Sequence, residues 1–100
     1  MSFLQRLLGI SSKPNLKKIL AKGALLIDVR SSDEFKAGHS AKAINIPLQL
    51  ISHSVYRLKG KIVIAVCKTG AKSAMAVSIL NSAGIEAYNG GVWSNFVGNS

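Results

Sequence analysis

The sequence predicts an α/β fold: three layers, α/β/α, built on a small, mainly parallel central sheet. Three observations carry this. Two apolar runs, at 24–29 and 61–66, lack the polar alternation of a half-exposed strand and read as strands buried on both faces. Stretches of helical periodicity lie between the strand-like runs, so consecutive strands are joined by crossovers and pair in parallel. Capping and turn residues, among them Gly23, Ser31, Gly38, Pro47, Gly60 and Gly84, fall at the junctions.

Each element follows from local chemistry. Residues 1–13 form a lead-in segment in which Phe3, Leu4, Leu7 and Leu8 fall at helical spacing. Ser11-Ser12-Lys13-Pro14 breaks it from a domain at 14–100. Residues 15–22 suit a short helix with Leu16, Ile19 and Leu20 inward and the lysines outward, ended by Gly23. The strand at 24–29 follows. Ser31, Ser32 and Asp33 supply capping groups for about two helical turns before Gly38. Residues 43–46 make a short strand stopped by Pro47, and 48–58 a helical segment leading into Gly60. The strand at 61–66 ends against Cys67. The best helix runs over 73–83 and is stopped by Gly84. Residues 85–88 form the last strand, Asn89-Gly90-Gly91 a turn, and 92–97 a final helix.

Composition bounds the function. The chain has 100 residues, 48% of them hydrophobic, which fits one compact domain with a single core. Thirteen basic residues against four acidic ones give a net charge of +9. The cations are dispersed, without an arginine cluster, zinc spacing or interleaved aromatics, so no specific nucleic-acid partner is expected. A single cysteine excludes an intramolecular disulfide, a Cys-rich zinc site and a C-x-x-C pair. A lone thiol suits a reducing compartment, and the cytoplasm is the expected location. Arg6 interrupts the apolar start, which is too short for a membrane span or a signal peptide. No metal site and no cofactor motif are found.

The chemistry concentrates at Cys67-Lys68-Thr69-Gly70-Ala71-Lys72-Ser73. A strand ends in the cysteine, a glycine-containing basic loop follows, and a helix begins. That order puts a thiol at the C-terminal edge of a sheet, facing a helix N-terminus, where ligands of open α/β sheets bind. A free cysteine has a pKa of about 8.5, so about 3% is thiolate at pH 7. Lowering it by roughly two units requires about 2.7 kcal/mol. A helix N-terminus supplies ~0.3–1 kcal/mol and up to ~2, and Lys68 and Lys72 are the nearest source of the remainder. No acidic residue stands near Cys67 in sequence to oppose them. The plain alternative is a buried cysteine that merely ends a core strand.

These residues resemble the rhodanese family of sulfurtransferases. The resemblance is carried, in the family's order, by Leu26-Ile27-Asp28-Val29-Arg30, by Glu34-Phe35 with Gly38-His39, by Ala43-Ile44-Asn45-Ile46-Pro47 and by the Cys67–Ser73 loop; Asn89-Gly90-Gly91-Val92-Trp93 is similar to the glycine-rich segment before the family's last helix. It implies that the loop curls into a cradle of backbone N–H groups around the sulfur. It also implies that Cys67 takes a sulfane sulfur from thiosulfate, persulfide or polysulfide and passes it to cyanide or a thiol, on a protein partner among others. Lys68, Thr69, Gly70, Ala71, Lys72 and Ser73 would form the substrate-binding loop.

Lys72 stands where active loops of the family commonly carry arginine. A lysine is a point charge, whereas arginine grips an oxyanion with a planar fork, so thiosulfate is expected to suffer more than a persulfide donor. Phosphatases of related architecture need an arginine after five intervening residues, where this chain has Ser73. A P-loop is excluded because Gly70-Ala71-Lys72-Ser73 lacks the Gly-Lys pair.

Arg30 and Trp93 are candidate pocket-rim residues. For Arg30 the competing role is a structural pair with Asp28, and for Trp93 a packing anchor. His39 is weighed as a general base against a structural role. The alternative reading of the whole chain is a non-catalytic module that binds or senses persulfide.

Overall fold

The computed structural model describes residues 14–98; the lead-in segment expected at 1–13 lies outside them. The elements are α1 (Leu16–Ala21), β1 (Leu25–Asp28), α2 (Ser32–Ala37), β2 (Ala43–Asn45), a 3-10 turn (Leu48–Leu50) running into α3 (Ile51–Leu58), β3 (Ile62–Cys67), α4 (Ala71–Ser82), β4 (Glu86–Val92) and a closing 3-10 turn (Trp93–Phe96). The sheet has four strands in the order β2-β1-β3-β4, all parallel. The chain goes from β1 outward to β2 and then returns to the other side of β1 for β3. The strand order therefore reverses between β1 and β3, and their C-terminal ends carry Arg30 and Cys67.

Side-chain alternation along the strands divides the core into two. Ile27, Val29, Val63, Ala65 and Cys67 pack with Ile51 and Leu58 of α3 and with Ala76, Val77 and Leu80 of α4. Leu26, Ile64 and Val66 face the other way, against Phe96, with Leu16, Ile19, Leu20 and Trp93 around them. The expected three layers are present. Among the described residues no helix is long and apolar enough to cross a membrane.

Local signals set most boundaries. Asn15 caps α1 by accepting the Lys18 N–H at 3.1 Å. Ser31 and Glu34 form a reciprocal capping box on α2. Three expectations need correction. The helix expected from residue 73 begins at Ala71, because Gly70 turns the chain at φ +96° and leaves a shorter loop. The expected turn Asn89-Gly90-Gly91 is instead part of β4. Its register passes from Ala65↔Asn89 to Val66↔Gly91, a bulge with Gly90 as the extra residue. A Cβ on Gly90 would lie 2.8 Å from Val66 Cγ1 and 2.9 Å from Ile64 Cγ2, so packing against β3, not turning, is what requires glycine there. The final helix at 92–97 is only the 3-10 turn Trp93–Phe96.

Candidate active site

Cys67 is the last residue of β3 and is 1% exposed. The chain beyond it folds back over the sulfur. Gly70 N–H donates to Sγ at 2.9 Å and Ser73 N–H at 3.4 Å. Gly70 is the N-cap residue of α4 and has no side chain to cap with. The cysteine sulfur takes that place, accepting the first-turn amide of Ser73 that a capping oxygen would ordinarily take. Thr69 Oγ1 accepts the Ala71 N–H at 3.4 Å, closing the turn. The Ser73 hydroxyl, fully buried, lies 3.3 Å from Sγ.

Burial works against ionisation of Cys67. The Ser73 hydroxyl and the backbone N–H groups of Ser73, Gly70 and Thr69 outweigh it, so the thiol pKa lies below its ordinary value. Neutral amide dipoles and one hydroxyl thus do the work that the sequence divided between a helix N-terminus and the charges of Lys68 and Lys72.

A cavity of about 250 Å³ opens above the sulfur, lined by Arg30, Glu34, Cys67, Lys68, Thr69, Ala71 and Lys72. It is smaller than a typical drug-sized pocket and suits a small anion or a thiol. Lys68 and Lys72 are exposed at its mouth. Nothing in the sequence placed Glu34 at this cavity. The acid that is absent beside Cys67 in sequence arrives from α2. Its carboxyl is held below the usual range by hydrogen bonds to the Ser31 hydroxyl and N–H, and then by the charges of Lys72 and Arg30.

Arg30 lines the cavity, but four of its five guanidinium N–H groups are engaged. It makes three hydrogen bonds to the carboxylate of buried Asp28, the shortest 2.7 Å, and donates to the carbonyls of Gly38 at 2.6 Å and Glu34 at 3.3 Å. Its Cζ sits 4.2 Å from the Trp93 ring centroid. Asn45 Nδ2 donates to the carbonyls of Asp28 and Arg30 and holds the same corner. The group ties β1, β2 and α2 together beside the loop. Trp93 does not line the cavity; it packs on Arg30 and in the core. With Arg30 balanced by Asp28, the charges of Lys68, Lys72 and Glu34 leave a single net positive charge around the opening.

His39 stacks on Phe35, with ring centroids 3.7 Å apart, and its Nδ1 donates to the Phe35 carbonyl at 2.6 Å. That contact fixes the end of α2 and leaves it outside the cavity lining. Asn89, expected in a turn, reaches the loop from β4: its Oδ1 accepts the Ser73 hydroxyl at 2.6 Å and its Nδ2 donates to the Gly70 carbonyl at 3.0 Å. Its pairing with Ser73 depends on the bulge, which no local signal marks. A larger hollow of about 400 Å³ opens at the opposite end of the sheet, between Lys22, Lys61 and Glu86, and is lined by no cysteine, serine, threonine or histidine. Among the described residues no group of His, Cys, Asp and Glu side chains is placed to hold a metal ion.

The fold and the amide-cradled thiol define an α/β domain organised around one cysteine. The rhodanese-like domain family matches residues 12–94, and the chain belongs to that family. It is 34% identical over 74 residues to the tRNA sulfurtransferase of Thermoplasma acidophilum, covering 74% of this chain and 15% of that protein. The chain spans only 15% to 22% of the length of the curated relatives it matches. Among solved structures, a rhodanese-like domain protein from Staphylococcus aureus is similar with a TM-score of 0.70 and 30% identity, over 85% of this chain and 86% of that one. The human single-domain sulfurtransferase is similar with a TM-score of 0.63 and 27% identity, over 76% and 84%.

Proposed function

We propose that the chain is a sulfurtransferase in which Cys67 carries sulfane sulfur as a persulfide. The observation that carries this reading is the pair of backbone N–H groups, from Gly70 and Ser73, directed at Sγ from 2.9 and 3.4 Å. Such fixed donors stabilise a thiolate for attack and then an anionic persulfide, without side-chain rearrangement. Membership of the family and the sulfurtransferases among its relatives support transfer of sulfur in general.

The steps balance without an oxidant. The Cys67 thiolate attacks the outer sulfur of the donor, and the donor's S–S bond breaks. Sulfite leaves from thiosulfate, or a thiolate from a persulfide. The acceptor, cyanide or a thiolate, then attacks the outer sulfur of the Cys67 persulfide, and the Cys67 thiolate is the leaving group. A persulfide or polysulfide fits the cavity better than thiosulfate. Glu34 offsets one of the two lysines, Arg30 is already engaged, and Lys72 presents no planar fork. Partners are accordingly small sulfur anions and thiol acceptors, including a thiol on another protein. A thiol that must stay reduced between turnovers suits the cytoplasm.

Intact mass after incubation with thiosulfate, and separately with polysulfide, tests the reading. One sulfur added to the wild type, removed by cyanide as thiocyanate and absent in a folded Cys67→Ser variant, is the expected result. No adduct from either donor, with Cys67 still open to alkylation, would replace transfer with a non-catalytic binding role.

A further inference from the structure

The Ser73 hydroxyl has one hydrogen and three acceptors in reach. Asn89 Oδ1 is at 2.6 Å, the Gly70 carbonyl at 3.1 Å and Cys67 Sγ at 3.3 Å. The shortest contact is the one to Asn89. Asn89 is also fixed from its own strand, since its Oδ1 accepts the Gly91 N–H at 2.9 Å. Its Nδ2 holds the Gly70 carbonyl at 3.0 Å, so both residues that donate N–H groups to the sulfur are tied to it. The bulge at Gly90 sets this aim, as bulges beside active sites commonly re-aim a side chain.

We propose that Asn89 is a positioning residue of the Cys67 cradle, holding the Ser73 hydroxyl hydrogen away from the sulfur. While Cys67 is a thiol, its S–H donates to the free lone pair of Ser73 Oγ and the hydroxyl donates to Asn89. Once the thiol ionises, the hydroxyl gives its hydrogen to sulfur only by giving up Asn89. The bond surrendered offsets part of the bond gained. Ionisation then draws less on the Ser73 hydroxyl and more on the backbone N–H groups, and the sulfur anion is less stabilised than an unrestrained hydroxyl would leave it. Each thiolate that forms is then the better nucleophile, at the cost of a smaller ionised fraction. This consequence for transfer rests on the reading above; the effect on the thiol does not.

The charged groups facing Cys67 are Arg30, paired with Asp28, at the end of β1, Glu34 from α2, Lys68 from the loop and Lys72 from α4. Asn89→Leu alters none of these charges. The test is the pH dependence of Cys67 alkylation by iodoacetamide, in the Ser73 and Ser73→Ala backgrounds. Asn89→Leu is expected to lower the thiol pKa by about half a unit to one unit when Ser73 is present, the size of one neutral hydrogen bond. In Ser73→Ala that fall disappears, and loss of the Asn89 Nδ2 bond to the Gly70 carbonyl leaves at most a small rise. An unchanged or raised pKa with Ser73 present, or equal shifts in both backgrounds, overturns the proposal. Should Asn89→Leu fail to fold, Asn89→Asp keeps and strengthens the acceptor; its added charge raises the pKa in both backgrounds, so the proposal requires a larger rise with Ser73 present than in Ser73→Ala, and equal rises are fatal. Alkylation reads the thiol whether or not sulfur is transferred, so failure of the sulfurtransferase reading is scored separately by the mass adduct.

Discussion

Gly70→Ala separates backbone strain from crowding at the point where the loop meets the sulfur. Gly70 has φ +96° and ψ −10°, a conformation that residues with a Cβ rarely adopt. Crowding is not the issue, because the nearest atom to an added Cβ is Gly91 Cα at an ordinary 3.5 Å. The cost is therefore conformational, about 1–3 kcal/mol. At about 4–8 °C per kcal/mol for a domain of this size, Tm falls by at least about 4 °C. The chain can relieve the strain only by rotating the peptide that donates to Sγ at 2.9 Å. A hydrogen bond to a charged group contributes about 1.5–3 kcal/mol, so losing it raises the Cys67 pKa by about one to two units. The folded pKa lies below the unfolded one. Its stabilising contribution is thus complete above the unfolded pKa and is lost as pH falls through the folded pKa. Gly70→Ala should shrink that pH-dependent increment. Alkylation against pH and thermal unfolding at pH 6 and pH 9 measure both effects. A variant with unchanged Tm and unchanged thiol pKa would refute the link between the left-handed turn and the thiolate.

Two further outcomes follow from the same geometry. Asp28→Asn leaves the Arg30 guanidinium, whose side chain is 7% exposed, without its counter-charge; about 3–5 kcal/mol of stability should be lost in urea unfolding, and a loss below 1 kcal/mol would show that Trp93 and the two carbonyls suffice. Lys72→Arg should raise kcat/KM for thiosulfate roughly five-fold, the worth of one added hydrogen bond, with little change for polysulfide; equal rates would show that Lys72 does not touch the anion.

Within the chain, the sequence alone determined what local chemistry specifies. Continuous apolar runs gave the buried strands, the capping residues at Ser31, Ser32 and Asp33 gave the start of α2, and the strand–cysteine–glycine–helix order put the thiol at a sheet edge. Motif order also pointed to the family. Tertiary structure decided everything that joins segments distant in sequence. It turned Asn89-Gly90-Gly91 from a turn into a bulged strand, since only the packing of Ile64 and Val66 reveals why Gly90 has no side chain. It brought Glu34 to the mouth of the cavity and Asn89 to Ser73, and it tied Arg30 to Gly38 and Trp93. The reason is physical. A helix cap or a strand's hydrophobicity is set within a few residues, whereas the field and hydrogen bonds felt by Cys67 depend on which strand ends the sheet places side by side.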